Sequence, residues 1–211
     1  MGEVVSVNVG EIDVAPWVPS GEYTAIDKRP LASRVAVRWL GLDGDEHADA
    51  EHHGGRDQAV YAYAREDLDW WAAQLGRELR DGIFGENLTL TGMEVNDAVL
   101  GERWRVGSAL LEVTGPRVPC GVFRNWMGLP GWVRRFTLAE RTGAHLRVLE
   151  EGDVAAGDPV TVEHRPAQSV TVTESFRAYH GDQDLLRRIL ALPGHGAKWD
   201  TVAERVLRSS A

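Results

Sequence analysis

The sequence predicts a mostly β chain with added helices: a barrel-like domain over residues 1–163 and a small three-helix C-terminal domain over residues 169–211. Three observations carry this. Short segments rich in β-branched and aromatic residues recur through the first part of the chain, separated by turn residues. Their number and modest spacing favour a sheet that closes on itself. After about residue 163 the strand pattern stops and helical periodicity replaces it.

Residues 4–9 (Val-Val-Ser-Val-Asn-Val) open the chain as a strand candidate, and residues 34–38 alternate with period two. Residues 59–63 and 87–90 are further strands, the second following a glycine turn. Residues 103–106 and 109–114 read as a hairpin closed by Gly107-Ser108, a two-residue loop with glycine first. Residues 144–149 and 159–163 form a later strand pair. Two helices interrupt the strands. Residues 66–75 place Leu68, Trp71, Ala72 and Leu75 at helical spacing, with Gly76 to end the run. Residues 125–136 are a weaker helix, broken by Gly128, Pro130 and Gly131. Residues 164–168 read as a linker. In the tail, Thr173 is expected to cap one helix and Asp182 a second with Leu185, Leu186, Ile189 and Leu190 on its apolar side; a third spans 198–207.

The 211 residues carry 23 basic and 32 acidic side chains, net −9. That argues against a nucleic-acid partner, helix-turn-helix binding by the tail included, because such surfaces need phosphate-facing cations. Met1 leads directly into a strand candidate, and no apolar run approaches membrane-spanning length. No membrane association and a cytoplasmic location are the expectation.

Cys120 is the one cysteine, so the chain cannot hold an iron–sulfur cluster or thiolate zinc site by cysteines alone. It is an inert buried side chain, a nucleophile, or a single soft ligand to a metal that arrives with a cofactor. Its setting, Gly115-Pro116-Arg117-Val118-Pro119-Cys120, stiffens the approach with two prolines and supplies a cation that favours thiolate.

Residues 41–58 hold three of the seven histidines, His47, His52 and His53. Their spacing does not match a helical zinc pair. Gly54 and Gly55 instead point to a turn whose backbone approaches an anion or cofactor; a solvated acidic loop and a metallohydrolase site are the alternatives. Phe84-Gly85-Glu86-Asn87 is either an ordinary turn or a segment offering donors and acceptors to a heterocycle edge. Lys28 and Arg34 lie in a local basic patch, read as a surface ion-pair face or as phosphate contacts.

Taken in order, His53-Gly54-Gly55-x-Asp57-Gln58-Ala59-Val60-Tyr61, then Phe84-Gly85-Glu86-Asn87, then the run from Gly107 to Cys120 closely resemble MOSC-domain proteins, named for the molybdenum-cofactor sulfurase C-terminal domain. The tail from Val172 to His180 resembles the three-helix domain that follows MOSC in one bacterial subgroup, so the resemblance covers nearly the whole chain. It implies a barrel-like domain that binds a molybdopterin-type molybdenum cofactor, with Cys120 as metal ligand. With it, His53, Gly54, Gly55, Asp57, Gln58, Tyr61, Phe84, Gly85, Glu86 and Asn87 are expected as cofactor or substrate contacts; Lys28 and Arg34 of the basic patch are the phosphate candidates, and Arg117, the cation near Cys120, is expected to favour its thiolate in catalysis. The family also has an association with pyridoxal phosphate. The subgroup is associated with reduction of N-hydroxylated compounds, including hydroxylamino-purines. The alternative is a non-catalytic carrier or sensor, with Cys120 holding a persulfide. The chain departs from the subgroup in placing Gly121-Val122-Phe123 after the cysteine, and Gln58 where a lysine is common. With one cysteine and no Gly-x-Gly-x-x-Gly after a strand, the reduction is expected to need an external electron-donating reductase.

Overall fold

A computed structural model describes residues 1–17, 23–48 and 54–208. Its strands in chain order are β1 Gly2–Val9, β2 Asp13–Val14, β3 Tyr23–Thr24, β4 Arg29–Pro30, β5 Val35–Arg38, β6 Gly41–Leu42, β7 Val60–Ala64, β8 Leu88–Thr91, β9 Arg103–Val106, β10 Ala109–Pro116, β11 Ala144–Glu150, β12 Gly152–Val154 and β13 Pro159–His164. The helices are α1 Arg65–Leu75, α2 Gly121–Met127, α3 Trp132–Ala139, α4 Val172–Tyr179, α5 Gln183–Leu190 and α6 Ala197–Arg208.

The main sheet runs β13-β9-β10-β11-β7-β8-β1, and β1 pairs back to β13 through Gly2 opposite Val160. Seven strands therefore close into a barrel, which leaves no open edge among them. Six of the seven pairings are antiparallel. The exception is β7 with β8, which lie parallel with α1 in their connection, as a crossover requires. The two later strands expected to pair do not: the β9–β10 hairpin stands between β11 and β13. That hairpin is the predicted one, with Gly107 at φ 57. A Cβ there would lie 2.4 Å from the Asp153 carbonyl oxygen, so both the turn and the close approach of the β12 segment require glycine.

The barrel interior is aliphatic. Val60, Ala62 and Ala64 of β7 face inward, while Tyr61 and Tyr63 between them face outward into a second cluster. Both faces of this strand are buried, so its sequence reads as one continuous apolar run. On β1, a register shift between Val4 and Ser6 lets Val4 and Val7 share the inner face although they are three apart. The outer cluster packs Trp71, Phe84, Phe123, Trp132 and Phe136 against the barrel wall, with the Trp71 and Trp132 ring centres 4.7 Å apart. It is built by α1, α2 and α3. Gly128 (φ 62) caps α2 and Gly131 (φ 65) precedes α3, so the expected broken helix is two short helices.

The tail packs on the barrel's own core: Val172, Ala178, Leu186, Ile189, Trp199 and Val202 belong to the same buried cluster as the inward strand residues. Thr171, not Thr173, caps α4, forming a reciprocal capping box with Glu174; Thr173 instead donates to the Asn96 carbonyl at 3.2 Å. Asp182 caps α5 as expected. No helix of the described residues is long and apolar enough to cross a membrane.

Candidate active site

β10 leaves the barrel at Pro116, and the chain crosses the barrel end as Arg117-Val118-Pro119-Cys120 before entering α2. Beside this crossing lies a cleft of about 1180 Å³. Its walls come from the segment Tyr23 to Lys28, from Glu46 to Ala48, from the barrel rim (Gln58, Tyr61, Gly85, Asn87, His145), from Pro116 to Val122, and from the tail.

One wall is held by Asp45. Its fully buried carboxylate accepts from Gly10 N at 2.9 Å, from Asn87 Nδ2 at 2.8 Å and from the Lys28 ammonium. His47 Nε2 lies 3.9 Å away. Burial holds Lys28 below the usual lysine range, opposed by the charge of Asp45. Asn87 uses the rest of its amide internally, accepting from Tyr61 N at 3.0 Å. Glu86 is turned wholly inward: Gly82 N (2.6 Å), Phe84 N (2.9 Å) and Thr89 Oγ1 (3.2 Å) all donate to it. Burial raises its pKa to about 7, against the pull of those donors. The Phe84–Asn87 segment thus shapes the cleft from behind, and only Gly85 and Asn87 reach its surface.

The crossing from Pro116 to Val122 is a further part of the lining. Arg117 is only 9% exposed, and its Nε has no hydrogen-bond partner among the described residues. No described carboxylate pairs with it. Two rings hold it in place, with the guanidinium carbon 4.4 Å from the Phe123 ring centre and 5.5 Å from that of Tyr61. Cys120 is partly buried, lines the same cleft and sits in extended conformation at the start of α2.

Of the candidate site residues, Lys28, Gln58, Tyr61, Gly85, Asn87, Arg117 and Cys120 line this one cleft. Others do not. Arg34 is exposed and held by Asp158 through two 2.8 Å bonds at its guanidinium. Phe84 is core. Asp57 lies behind the rim, 3.5 Å from Arg147. Neither Gly54 nor Gly55 lines the cleft, and a Cβ on Gly55 would meet nothing within 4 Å, so close approach does not explain that glycine. His53, like His52, lies outside the described residues. Sequence reading missed the tail's contribution: Tyr179 of α4 and Lys198, Thr201, Val202 and Arg205 of α6 complete the cleft, with His145 of β11. Burial lowers the Lys198 pKa to about 8, with Asp57 opposing.

A family model described as "MOSC domain" matches residues 49–161. The chain belongs to the MOSC-domain family. Across 93% of its length it is 32% identical to "Uncharacterized protein YflK" of Bacillus subtilis, covering 90% of that protein. It is 32% identical to a protein named "Reductase" from Gibberella moniliformis over 99% of its own length but only 38% of that chain. The crystal structure of YiiM from Geobacillus stearothermophilus superposes with a TM-score of 0.79 at 28% identity, over 98% of this chain and 100% of that one. As a MOSC protein, the chain matches the family model across the rim, the motif crossing and Cys120, but not across α6.

Proposed function

We propose that the cleft binds a molybdopterin-type molybdenum cofactor and supports two-electron reduction of N-hydroxylated compounds, hydroxylamino-purines among them. The observation that carries this is a single thiol lining a cleft beside a buried, unpaired guanidinium. Among the described residues no group of three His, Cys, Asp or Glu side chains could hold a metal. A metal brought to Cys120 in a dithiolene cofactor would carry its other ligands with it, and a soft thiolate suits it. The MOSC family is linked to molybdenum-cofactor binding in general, and one relative is named a reductase. The donor set therefore fits the group. Cys120 would ligate the metal, and Arg117 would keep that sulfur ionised. Tyr61 and Asn87 fix the rim, while Gln58 and His145 reach the cleft surface where a heterocycle would lie. When bound, the cofactor supplies the redox chemistry and the chain positions it.

The net reaction adds two electrons and two protons to the N-hydroxy group, giving amine and water. One cysteine leaves no route for a thiolate-bound iron–sulfur relay, so electrons come from a separate reductase. The test is purification from a molybdenum-sufficient host, then assay with a hydroxylamino-purine. Turnover with a dye donor or an added flavoprotein, and none with NADPH alone, is expected. A chain loaded with metal and pterin that reduces no N-hydroxylated compound would overturn the proposal. A persulfide on Cys120 without molybdenum would establish a carrier instead.

A further inference from the structure

Of the 23 basic residues, 21 are arginines and two are lysines, Lys28 and Lys198, and both lysines line the cleft. Arginine keeps its charge in any setting. What a lysine adds is a nitrogen that can give up its proton and act as a nucleophile. The two are held differently. The Lys28 ammonium is tied to the buried Asp45 carboxylate. Lys198 makes no hydrogen bond or ion pair to any described residue.

The setting of Lys198 favours its neutral amine. Trp199 Nε1 donates to the Thr114 carbonyl at 3.3 Å, docking α6 on the end of β10. The lysine is thereby brought against the strand, so that a Cβ on Gly115 would lie 3.1 Å from Nζ. This contact takes the side chain partly out of water, which disfavours the ammonium. Lys198 also lies in the first turn of α6, where the positive end of the helix repels a cation. Two features pull the other way. The Trp199 ring centre is 5.5 Å from Nζ, and Asp57 attracts the charge. Asp57 makes no bond to the lysine and lies 3.5 Å from Arg147. Desolvation prevails, and the pKa falls to about 8. At pH 7 roughly a tenth of such a side chain is free amine, against a few parts in ten thousand for an ordinary lysine.

We infer that Lys198 is the nucleophile of a covalent aldehyde-binding site in this cleft. The amine lone pair attacks the carbonyl carbon as the carbonyl π bond breaks. The two nitrogen protons then leave with the oxygen as water, and an imine remains. No electrons change hands, no co-reactant is needed, and water reverses the step. Thr201 and Val202, one turn further along α6, line the same cleft and place a hydroxyl and an apolar side chain near the bound carbon. The site gives the tail, which lies beyond the matched family model, a binding role of its own. It does not rest on a metal at Cys120.

The experiment incubates the full chain with increasing glycolaldehyde and cyanoborohydride at neutral pH, then maps the reduced adducts by mass spectrometry. With two lysines and one N-terminal amine, only three positions can carry a trapped imine. Lys198 is expected to be labelled and Lys28 spared. Half-maximal labelling of Lys198 should come at an aldehyde concentration about tenfold or more below that for the N-terminal amine, on the exposed Met1, which has no cleft around it. Lys198→Arg should remove the high-affinity labelling while keeping the wild-type unfolding midpoint. In urea the preference for Lys198 over Lys28 should vanish. Labelling of Lys198 no tighter than that of the N-terminal amine overturns the site. So does equal labelling of the two lysines in the folded chain, or high-affinity labelling that survives in Lys198→Arg.

Discussion

Replacing Asp45 by asparagine tests the electrostatic frame of the cleft. The carboxylate is fully buried and receives Gly10 N, Asn87 Nδ2 and the Lys28 ammonium, itself only 7% exposed. Asp45→Asn is nearly isosteric, so little packing changes; what changes is that a buried ammonium loses its counter-ion. Breaking a buried pair from one side costs about 3–5 kcal/mol. For a domain of this size that corresponds to a fall in Tm of roughly 6–20 °C. The loss should be largest near neutral pH and shrink in alkali, because Lys28 is already below the usual lysine range and without Asp45 sheds its proton more readily. Adding Lys28→Met removes the stranded charge and should recover at least half of the loss. The Gly10 and Asn87 donors still meet a poorer acceptor, which leaves about 1–3 kcal/mol unrecovered. The assay is urea unfolding of the wild type, both single variants and the double variant at pH 7 and pH 9.5. If Asp45→Asn lies within 1 kcal/mol of wild type, or Lys28→Met only adds to its loss, the pair is not the frame described above.

Lys198 makes stability pH-dependent. Its folded pKa, about 8, lies below the unfolded value, so the unfolded chain binds more protons between pH 8 and 10.5, and this group's contribution makes stability rise across that window. Comparing unfolding of wild type and Lys198→Met across that range isolates the rise; an equal slope in both would exclude it. Glu86→Gln should lower stability by about 1–3 kcal/mol at pH 8, because its amide must face one of the two backbone N–H groups that now donate to the carboxylate. Unfolding midpoints equal to wild type would contradict that. Trp199→Phe removes the indole bond to the Thr114 carbonyl and leaves a void where the fully buried indole packed, and should cost about 2–4 kcal/mol. An unfolding midpoint equal to wild type would refute that docking of α6 on β10.

The parts of the fold readable from sequence are those set by neighbours in the chain. The β9–β10 hairpin announces itself by alternation and by Gly107, and α1 by its apolar spacing and its left-handed Gly76 cap. What closes the barrel is Gly2 pairing with Val160, a contact between the chain's first strand and its last, and no local pattern encodes it. β2, β3, β4 and β6 are two residues each and too short to carry a period. Thr173 and Thr171 are equal as caps until Glu174 chooses the one three residues before it. In the candidate site, Cys120 and Arg117 stand out in the sequence as a lone cysteine in a Pro-rich, Arg-flanked run, while Gln58, Tyr61, Gly85 and Asn87 were reached through the family resemblance. Lys198 was not, because a lysine in the first turn of an amphipathic helix looks solvated until the helix is docked on Gly115. Glu86 and Phe84 carried a motif's signal, but they are the motif's support, turned away from the cleft they shape.

The central claim is that the one thiol in the cleft holds the metal, and metal analysis of Cys120→Ala tests it most directly. Both proteins would be purified from the same molybdenum-sufficient host, checked for equal unfolding midpoints, and assayed for molybdenum and pterin per chain. The account predicts near-stoichiometric metal and pterin in the wild type. In the variant it predicts loss of molybdenum with the fold intact. Undiminished molybdenum in Cys120→Ala would contradict it.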